Sequence, residues 1–256
     1  MVVLLVVLAL LGLAVGSFLT VVAARVPEGE SIVSPRSRCR TCGTAVGVRD
    51  NVPVVSWILL RGRCRACGAP IGIRYPIVEL LTAALFAAAG VVVGPRAVLP
   101  AYLWFVGVTL VLAVVDLERK LIPNRILYPG TVVGVVLLGV GAFLDGEPAR
   151  LPGALGAGLG TFLALGAVWL AARGGFGFGD VKLGFLLGVF VGYGHWSHAV
   201  AAFVLAFLLG GVVSVLLLVT GIRGRKDAIP FGPYLVAGAY LAIVYGDEIV
   251  RWYLGA

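Results

Sequence analysis

Long apolar stretches dominate the chain, and short segments between them carry nearly all of its charge. A helix needs about 20 apolar residues to cross the hydrocarbon core of a bilayer, with a range of about 17–25. Seven of the eight stretches meet that length, whereas 181–194 is short and would need tilt, bilayer thinning or extension into the preceding glycines. The pattern therefore predicts eight transmembrane helices, over residues 2–24, 76–93, 97–115, 126–144, 153–172, 181–194, 196–222 and 228–246.

Composition agrees with this pattern. Hydrophobic residues make up 61% of the chain, charged residues 12%, and the mean hydropathy is +1.08. These values exclude a soluble globular domain and indicate an all-α polytopic membrane protein. The first stretch has no basic segment before it and a large basic segment after it, so we expect a retained helix and not a signal peptide.

The net charge of +8 is better explained by the orientation of the chain in the membrane than by nucleic-acid binding. Seventeen of the twenty lysines and arginines fall in alternate connecting segments, and only Arg96, Arg150 and Arg251 fall in the others. Cytoplasmic loops carry the excess of basic residues, so we expect both termini outside and no nucleic-acid partner. The segments predicted to be cytoplasmic are 25–75, 116–125, 173–180 and 221–227.

Four cysteines form two C-x-x-C pairs, Cys39 with Cys42 and Cys64 with Cys67. A glycine follows each pair, and the separation is typical of a tetrahedral zinc site with four thiolate ligands. Two disulfides are the alternative, but structural disulfides are rare in a reducing cytoplasm. A closed four-thiolate site is structural and would supply the folding energy of its segment. We therefore predict a first helix over 1–24, a small cytoplasmic zinc-binding loop domain over 25–75, and a membrane domain over 76–256.

Two aspartates stand at the ends of predicted spans. Asp116 ends the third span and Asp180 begins the sixth, which places both at the cytoplasmic boundary. Two such carboxylates can hydrolyse a peptide bond, one accepting a proton from water and the other donating to the developing oxyanion. A helix N-terminus favours an anion and a C-terminus disfavours one, so these helix ends predict Asp180 as base and Asp116 as acid.

Other residues near these aspartates are weaker candidates for substrate binding. Gly177 and Gly179, together with Gly174 and Gly175, leave room for an extended substrate strand next to Asp180, although glycine also eases helix packing in membranes. Lys182 follows Asp180 at the start of the sixth span. Glu79 lies one turn inside the second span and could contact either a loop arginine or the substrate.

Several motifs, in the order in which they occur along the chain, resemble those of the bacterial type IV prepilin peptidases, which are aspartic peptidases with a G-x-G-D signature. The resemblance covers nearly the whole length. Thr20, Arg40 and Asn124 depart from the commonest form of the family, yet none is a catalytic or ligand position. The motifs are GSFLTVVAARVP (16–27), the two cysteine pairs, DNVPVVSWILLRGRC (50–64), RYPIVELLT (74–82), DLERKLIPN (116–124), GGFGFGDVKL (174–183) and PFGPYL (230–235).

The resemblance implies a bifunctional enzyme of the bacterial inner membrane. It would cleave the basic leader of prepilins or pseudopilins after a glycine, then methylate the new N-terminus with S-adenosylmethionine. The family's catalytic aspartates correspond to Asp116 and Asp180. The active site would face the cytoplasm, and the partners would be prepilins and membrane lipids. The family's zinc ligands correspond to Cys39, Cys42, Cys64 and Cys67.

Other classes of protein remain open from the residues alone. A peptidase without methylation is the nearest alternative, because no glycine-rich nucleotide motif appears. A membrane assembly factor could use the cysteines as a zinc knuckle that binds a partner, and then Asp116→Asn and Asp180→Asn would leave its function intact. A transporter would place its carboxylates near the bilayer midplane, whereas both aspartates stand at span ends.

Overall fold

The computed structural model describes residues 1–172, 176–222, 224, 227 and 229–254. Within these ranges the chain forms α-helices, three short 3-10 turns and no β-strand. Gly174 and Gly175 lie outside the described residues, as do four basic residues used to predict orientation, Arg173, Arg223, Arg225 and Lys226. The helices are α1 (Val2–Arg25), α2 (Val55–Leu59), α3 (Arg74–Val93), α4 (Leu99–Arg119), α5 (Asn124–Leu144), α6 (Leu151–Ala171), α7 (Phe178–Gly192), α8 (Trp196–Val219) and α9 (Gly232–Leu254).

Six helices within the described residues are long and apolar enough to span a membrane, namely α1, α3, α4, α5, α6 and α8. They confirm the prediction of an all-α, polytopic membrane protein. The sixth predicted span, 181–194, corresponds to α7, which has 15 residues and a length of about 22 Å. It is shorter than the hydrocarbon core of about 30 Å. The eighth corresponds to α9, whose last turns carry Asp247, Glu248 and Arg251.

The chain divides into two compact units, Met1–Leu99 and Pro100–Ala256. The three-part division predicted from sequence remains a prediction. In the first unit, α1 packs closely along α3 at two glycines. A Cβ atom on Gly12 would lie 2.6 Å from Ala83 Cα, and one on Gly16 would lie 2.8 Å from Glu79 Cα. Small residues four apart let two membrane helices bring their backbones together, which explains why these positions lack side chains.

In the second unit, α7 lies among other helices. The side chains of Val181, Leu183, Leu186 and Phe190 are fully buried. A Cβ atom on Gly188 would lie 2.8 Å from the carbonyl oxygen of Ala157 on α6, so these two helices are in close backbone contact. Because α7 is covered on several faces by protein, it does not need the length of a lipid-exposed span.

Candidate active site and metal centre

Asp116 and Asp180 come from different helices of the second unit and line the same cleft. Asp116 is in the last turn of α4, Asp180 is in the first turn of α7, and both are buried. The rings of Phe105 on α4 and Phe190 on α7 stack with centroids 4.5 Å apart. This packing fixes α4 against α7, and it brings together two carboxylates that are 64 positions apart in the sequence.

The cleft between them has a volume of about 180 Å³. A water molecule occupies about 30 Å³ in the liquid, so the space has the volume of about six water molecules. Of the predicted site residues, the structure brings Gly177, Gly179 and Lys182 to the cleft with the two aspartates. Its remaining lining residues are Lys120, Leu121, Ile122 and Asn124.

Asp116 is held by a backbone group of α9. The N–H of Gly232 donates a hydrogen bond of 3.0 Å to Asp116 Oδ2. A Cβ atom on Gly232 would lie 2.8 Å from that same oxygen, closer than real Cβ atoms approach. A second link ties α9 to α4, because the hydroxyls of Thr109 and Tyr240 are hydrogen-bonded at 2.7 Å. Gly232 therefore admits and orients the carboxylate of Asp116.

Asp180 has a different environment. Its Oδ1 atom is buried and has no hydrogen-bond partner within the described residues. A Cβ atom on Gly177 would lie 3.0 Å from Asp180 Oδ2, and one on Gly179 would lie 3.0 Å from Ile122 Cβ. Both glycines thus have a steric role within the protein, beside the predicted role of admitting a substrate strand.

Lys182 stands at the cleft beside Asn124. Its Nζ donates a hydrogen bond to Asn124 Oδ1 and lies 5.5 Å from the ring centroid of Tyr128. It also lies 5.6 Å from the ring centroid of Phe178. An amide and two aromatic faces orient the ammonium group without neutralising its charge. Lys182 can therefore donate a charged hydrogen bond to a carbonyl or carboxylate in the cleft.

Glu79, the fourth candidate for substrate binding, belongs to the first unit. It is buried on α3, and its Oε2 accepts a 2.7 Å hydrogen bond from the backbone N–H of Val54. Val54 is unusual because it has a positive φ of 60°, in a conformation that side chains with branched Cβ atoms avoid. The contact supports a structural role, although the partner is a backbone N–H and not the predicted arginine; substrate contact remains a prediction.

Glu79→Ala is expected to loosen the turn at Val54. The substitution leaves the partly buried N–H of Val54 without its acceptor, at a cost of up to about 3 kcal/mol. Hydrogen–deuterium exchange of a peptide covering residues 53–60 should then accelerate by about tenfold or more, since 1.4 kcal/mol is tenfold. Glu79→Gln retains an acceptor oxygen and is the matched control. Unchanged exchange with a loss of substrate affinity would instead identify Glu79 as a substrate contact.

The four cysteines meet in one cluster in the first unit. Their Sγ atoms all lie within 4.8 Å of one another, and those of Cys39 and Cys67 are 3.8 Å apart. Four zinc–sulfur bonds of about 2.3 Å in a tetrahedron place the sulfur atoms about 3.8 Å from one another. All four are free thiols, and two of them are exposed. The donor set and its spacing fit a zinc ion.

The two cysteine pairs form matching turns. Cys39 N–H donates to Thr44 O and Gly43 N–H donates to Cys39 O, and the second pair repeats both bonds 25 residues later. Gly43 and Gly68 have φ values of +73° and +71°, in the left-handed region that favours glycine. These glycines close each turn so that both sulfurs of a pair point to one centre.

Asp50 and Arg65 strengthen the cysteine segment. Arg65, within the second pair, donates from Nε and from an Nη atom to both carboxylate oxygens of Asp50, with the closest approach at 2.7 Å. The hydrogen bond with Arg65, together with its charge, lowers the pKa of the Asp50 carboxyl. This forked contact joins the turn at Val48–Asn51 to the second cysteine pair.

Sequence reasoning did not assign Gly232 a role in the site. The motif PFGPYL (230–235) is among those that carry the family resemblance, and its glycine has no predicted role. Nothing local in that motif identifies its partner as Asp116, which is 116 positions earlier. Lys120, Ile122 and Asn124 were also missed as lining residues, although they lie in the motif that begins at Asp116.

Comparison with known proteins matches the chain in two parts. The bacterial peptidase A24 N-terminal domain matches residues 10–93, and the type IV leader peptidase family matches residues 103–215. No solved structure matches significantly.

Similar proteins cover nearly all of the chain. A prepilin leader peptidase/N-methyltransferase of Bacillus subtilis is 34% identical over 97% of each chain. Proteins of the same name from Aeromonas hydrophila and Pseudomonas aeruginosa are each 33% identical over 96% of this chain, and over 92% and 91% of their own lengths. Identity of this extent, over both units, shows that the chain is an enzyme that belongs to the type IV leader peptidase family.

Proposed function

We propose that the chain is an aspartic endopeptidase that cleaves the basic leader from type IV prepilins or pseudopilins after glycine, then methylates the new N-terminus. The observation that carries the proposal is the convergence of Asp116 and Asp180 on one cleft. The names of the relatives support both activities and the prepilin substrate. Methyl transfer consumes S-adenosylmethionine as a second substrate, and the new amine takes the methyl group and releases a proton.

In the proposed reaction, one aspartate removes a proton from water as the water oxygen attacks the carbonyl carbon after glycine. The other aspartate donates a proton to the carbonyl oxygen as it becomes negative. The carbon–nitrogen bond then breaks, the proton taken from water passes to the leaving amine, and the second aspartate takes back its proton as the C=O bond re-forms. Burial of both side chains excludes bulk water from the reacting atoms.

The contacts favour a division of roles opposite to that predicted from the helix ends. Gly232 N–H donates to Asp116, a bond that an ionised carboxylate accepts more strongly than a neutral one, whereas Asp180 Oδ1 has no donor among the residues that the structure describes. A hydrogen bond to a charged group contributes about 1.5–3 kcal/mol, and a helix end contributes about 0.3–1 kcal/mol. We therefore assign Asp116 as the base and Asp180 as the acid.

Gly177, Gly179 and Lys182 are proposed to bind the substrate backbone. All three line the cleft beside the aspartates. The two glycines leave a narrow path along the backbone for an extended strand, and Lys182 can donate to one of its carbonyl oxygens. The cytoplasmic location of the site is also part of the proposal. It is supported by the excess of basic residues in the segments next to Asp116 and Asp180.

The proposed role of the four cysteines is to bind one structural zinc ion. Four thiolates leave no position open for water, so the metal would take no part in cleavage. Cys42→Ser and Cys67→Ser should each lower zinc content by more than about tenfold in elemental analysis, because zinc supplies the folding energy of such segments. Thr41→Ala, an exposed position between two ligands, should retain zinc. Full occupancy in both serine variants would exclude the four-thiolate site.

The proposed activities can be tested together with purified enzyme in detergent. The substrate is a prepilin with a basic leader and a Gly-Phe junction, and mass spectrometry of the product is recorded with and without S-adenosylmethionine. We expect cleavage in both cases and a gain of about 14 Da, one methylene, only with the methyl donor. Cleavage without the added mass would leave a peptidase alone. A zinc-loaded, folded enzyme that cleaves none of several prepilins would overturn the proposal.

A further inference from the structure

The short helix α2, in the cysteine segment, exposes its apolar side chains and buries a polar one. Ser56 is its buried residue, and its Oγ donates to the carbonyl oxygen of Arg49 and accepts from the N–H of Val52. Residues at positions i, i+3 and i+4 share a helix face. Val55, Ile58 and Leu59 stand at these positions and form one exposed apolar face (51%, 61% and 76% exposed). A contiguous exposed apolar face of this kind marks an interaction surface.

The position of α2 along the membrane normal follows from its tie to α3. With 20 residues, α3 is about 30 Å long, the thickness of the hydrocarbon core. Glu79 is the sixth residue of α3, about 7 Å from the start of the helix. Its hydrogen bond to the N–H of Val54 holds the residue just before α2 beside the first turns of this span. The start of α2 therefore lies near the boundary between headgroups and hydrocarbon.

The charge around α2 suits an anionic lipid surface. Between residues 31 and 73 the chain has seven arginines and one acidic residue, Asp50, which is paired with Arg65. Lipid phosphates attract such clusters of basic residues close to a membrane. A helix with an apolar face and basic surroundings is also the kind that lies in the plane of the interface. The arginines are Arg36, Arg38, Arg40, Arg49, Arg61, Arg63 and Arg65.

We propose that α2 is an interfacial anchor that inserts Val55, Ile58 and Leu59 between anionic lipids and holds the cysteine segment on the membrane. The segment is already attached to the membrane at its two ends by α1 and α3, and α2 adds a third point of attachment. This surface belongs to the first unit, whereas the residues of the aspartate cleft belong to the second.

The test places a nitroxide spin label at position 59 of the full chain, through Leu59→p-acetylphenylalanine. The zinc-loaded protein is reconstituted in nanodiscs of phosphatidylcholine with phosphatidylglycerol. Collisions of the label with oxygen, which concentrates in lipid, are compared with collisions with a water-soluble nickel chelate. We expect the ratio of oxygen to nickel collisions to be several times larger at position 59 than at the exposed Thr41, labelled in the same way as the control.

The other outcomes overturn the proposal in distinct ways. Frequent collisions with both reagents at position 59 would show that α2 stays in water. Few collisions with either would show that it packs against protein, a second copy or another part of this chain. Ile58→Ser in the labelled chain should raise nickel collisions several-fold with zinc content unchanged, and the absence of that rise would exclude apolar anchoring. Omitting phosphatidylglycerol should likewise raise nickel collisions, and an unchanged value would exclude the arginine–lipid contribution.

Discussion

Asp116→Asn and Asp180→Asn are each expected to reduce the cleavage rate by at least about a thousandfold. General acid–base catalysis contributes about 10²–10⁴ per group, and an amide can neither take the proton from water nor deliver one to the oxyanion. Asparagine retains the shape of aspartate, and at position 116 its oxygen can still accept from Gly232 N–H. The loss should therefore appear in kcat, with little change in substrate affinity.

The double variant provides the sharper measurement for the aspartate pair. Catalytic residues that act as one unit show strongly non-additive losses. The cleavage rate of the double variant, Asp116→Asn with Asp180→Asn, should therefore lie within about tenfold of the rate of the slower single variant. Zinc content and thermal unfolding serve as controls for folding. More than about a tenth of the wild-type rate in either single variant would remove that aspartate from the chemistry and favour a structural role.

Gly232→Ala is the second substitution with a large expected effect. A methyl group there would lie 2.8 Å from Asp116 Oδ2 and 3.3 Å from its Cγ, so the carboxylate must move. Misplacement of a catalytic group by about 1 Å can cost about a hundredfold in rate, and we expect a loss of that size in kcat. The KM should change less, because Asp116 lines the cleft and Gly232 does not.

A matched glycine separates this steric effect from a general loss of stability. At Gly211 on α8, a Cβ atom would have no neighbour within 4 Å. Gly211→Ala should therefore retain both rate and melting temperature, while Gly232→Ala loses rate at a similar melting temperature. Wild-type kinetics in Gly232→Ala would show that the hydrogen bond to Asp116 does not position the carboxylate during catalysis.

The candidate site residues could be proposed from the sequence because each has a strong local signal. A carboxylate at the end of an apolar span is energetically costly and usually has a functional role, and Asp116 and Asp180 were predicted on this basis. Two C-x-x-C pairs, each followed by glycine, predict one metal centre, and the structure brings the four sulfurs within 4.8 Å of one another. The helical spans follow from the length of the apolar stretches alone.

The weaker predictions concerned residues whose partners are distant in sequence. Gly177 and Gly179 were predicted to admit substrate, and in the structure they also leave space for Asp180 Oδ2 and Ile122. For Glu79 either a loop arginine or a substrate contact was predicted, and the donor that the structure shows is the N–H of Val54, 25 positions away. An unpaired backbone donor cannot be recognised from residue type, because every residue except proline has one.

The sequence by itself determined a helical membrane protein and a four-cysteine cluster, and it selected two aspartates as the candidate reactive groups, because span length, cysteine spacing and buried charge are all local properties of the chain. Only the tertiary structure decided that α7 is covered by other helices and can be short, that Gly232 holds Asp116, and that α2 turns its apolar face outward. These features depend on contacts between helices. The packing between helices depends on how small and large side chains that are far apart in the sequence fit together. A local sequence pattern does not contain that information.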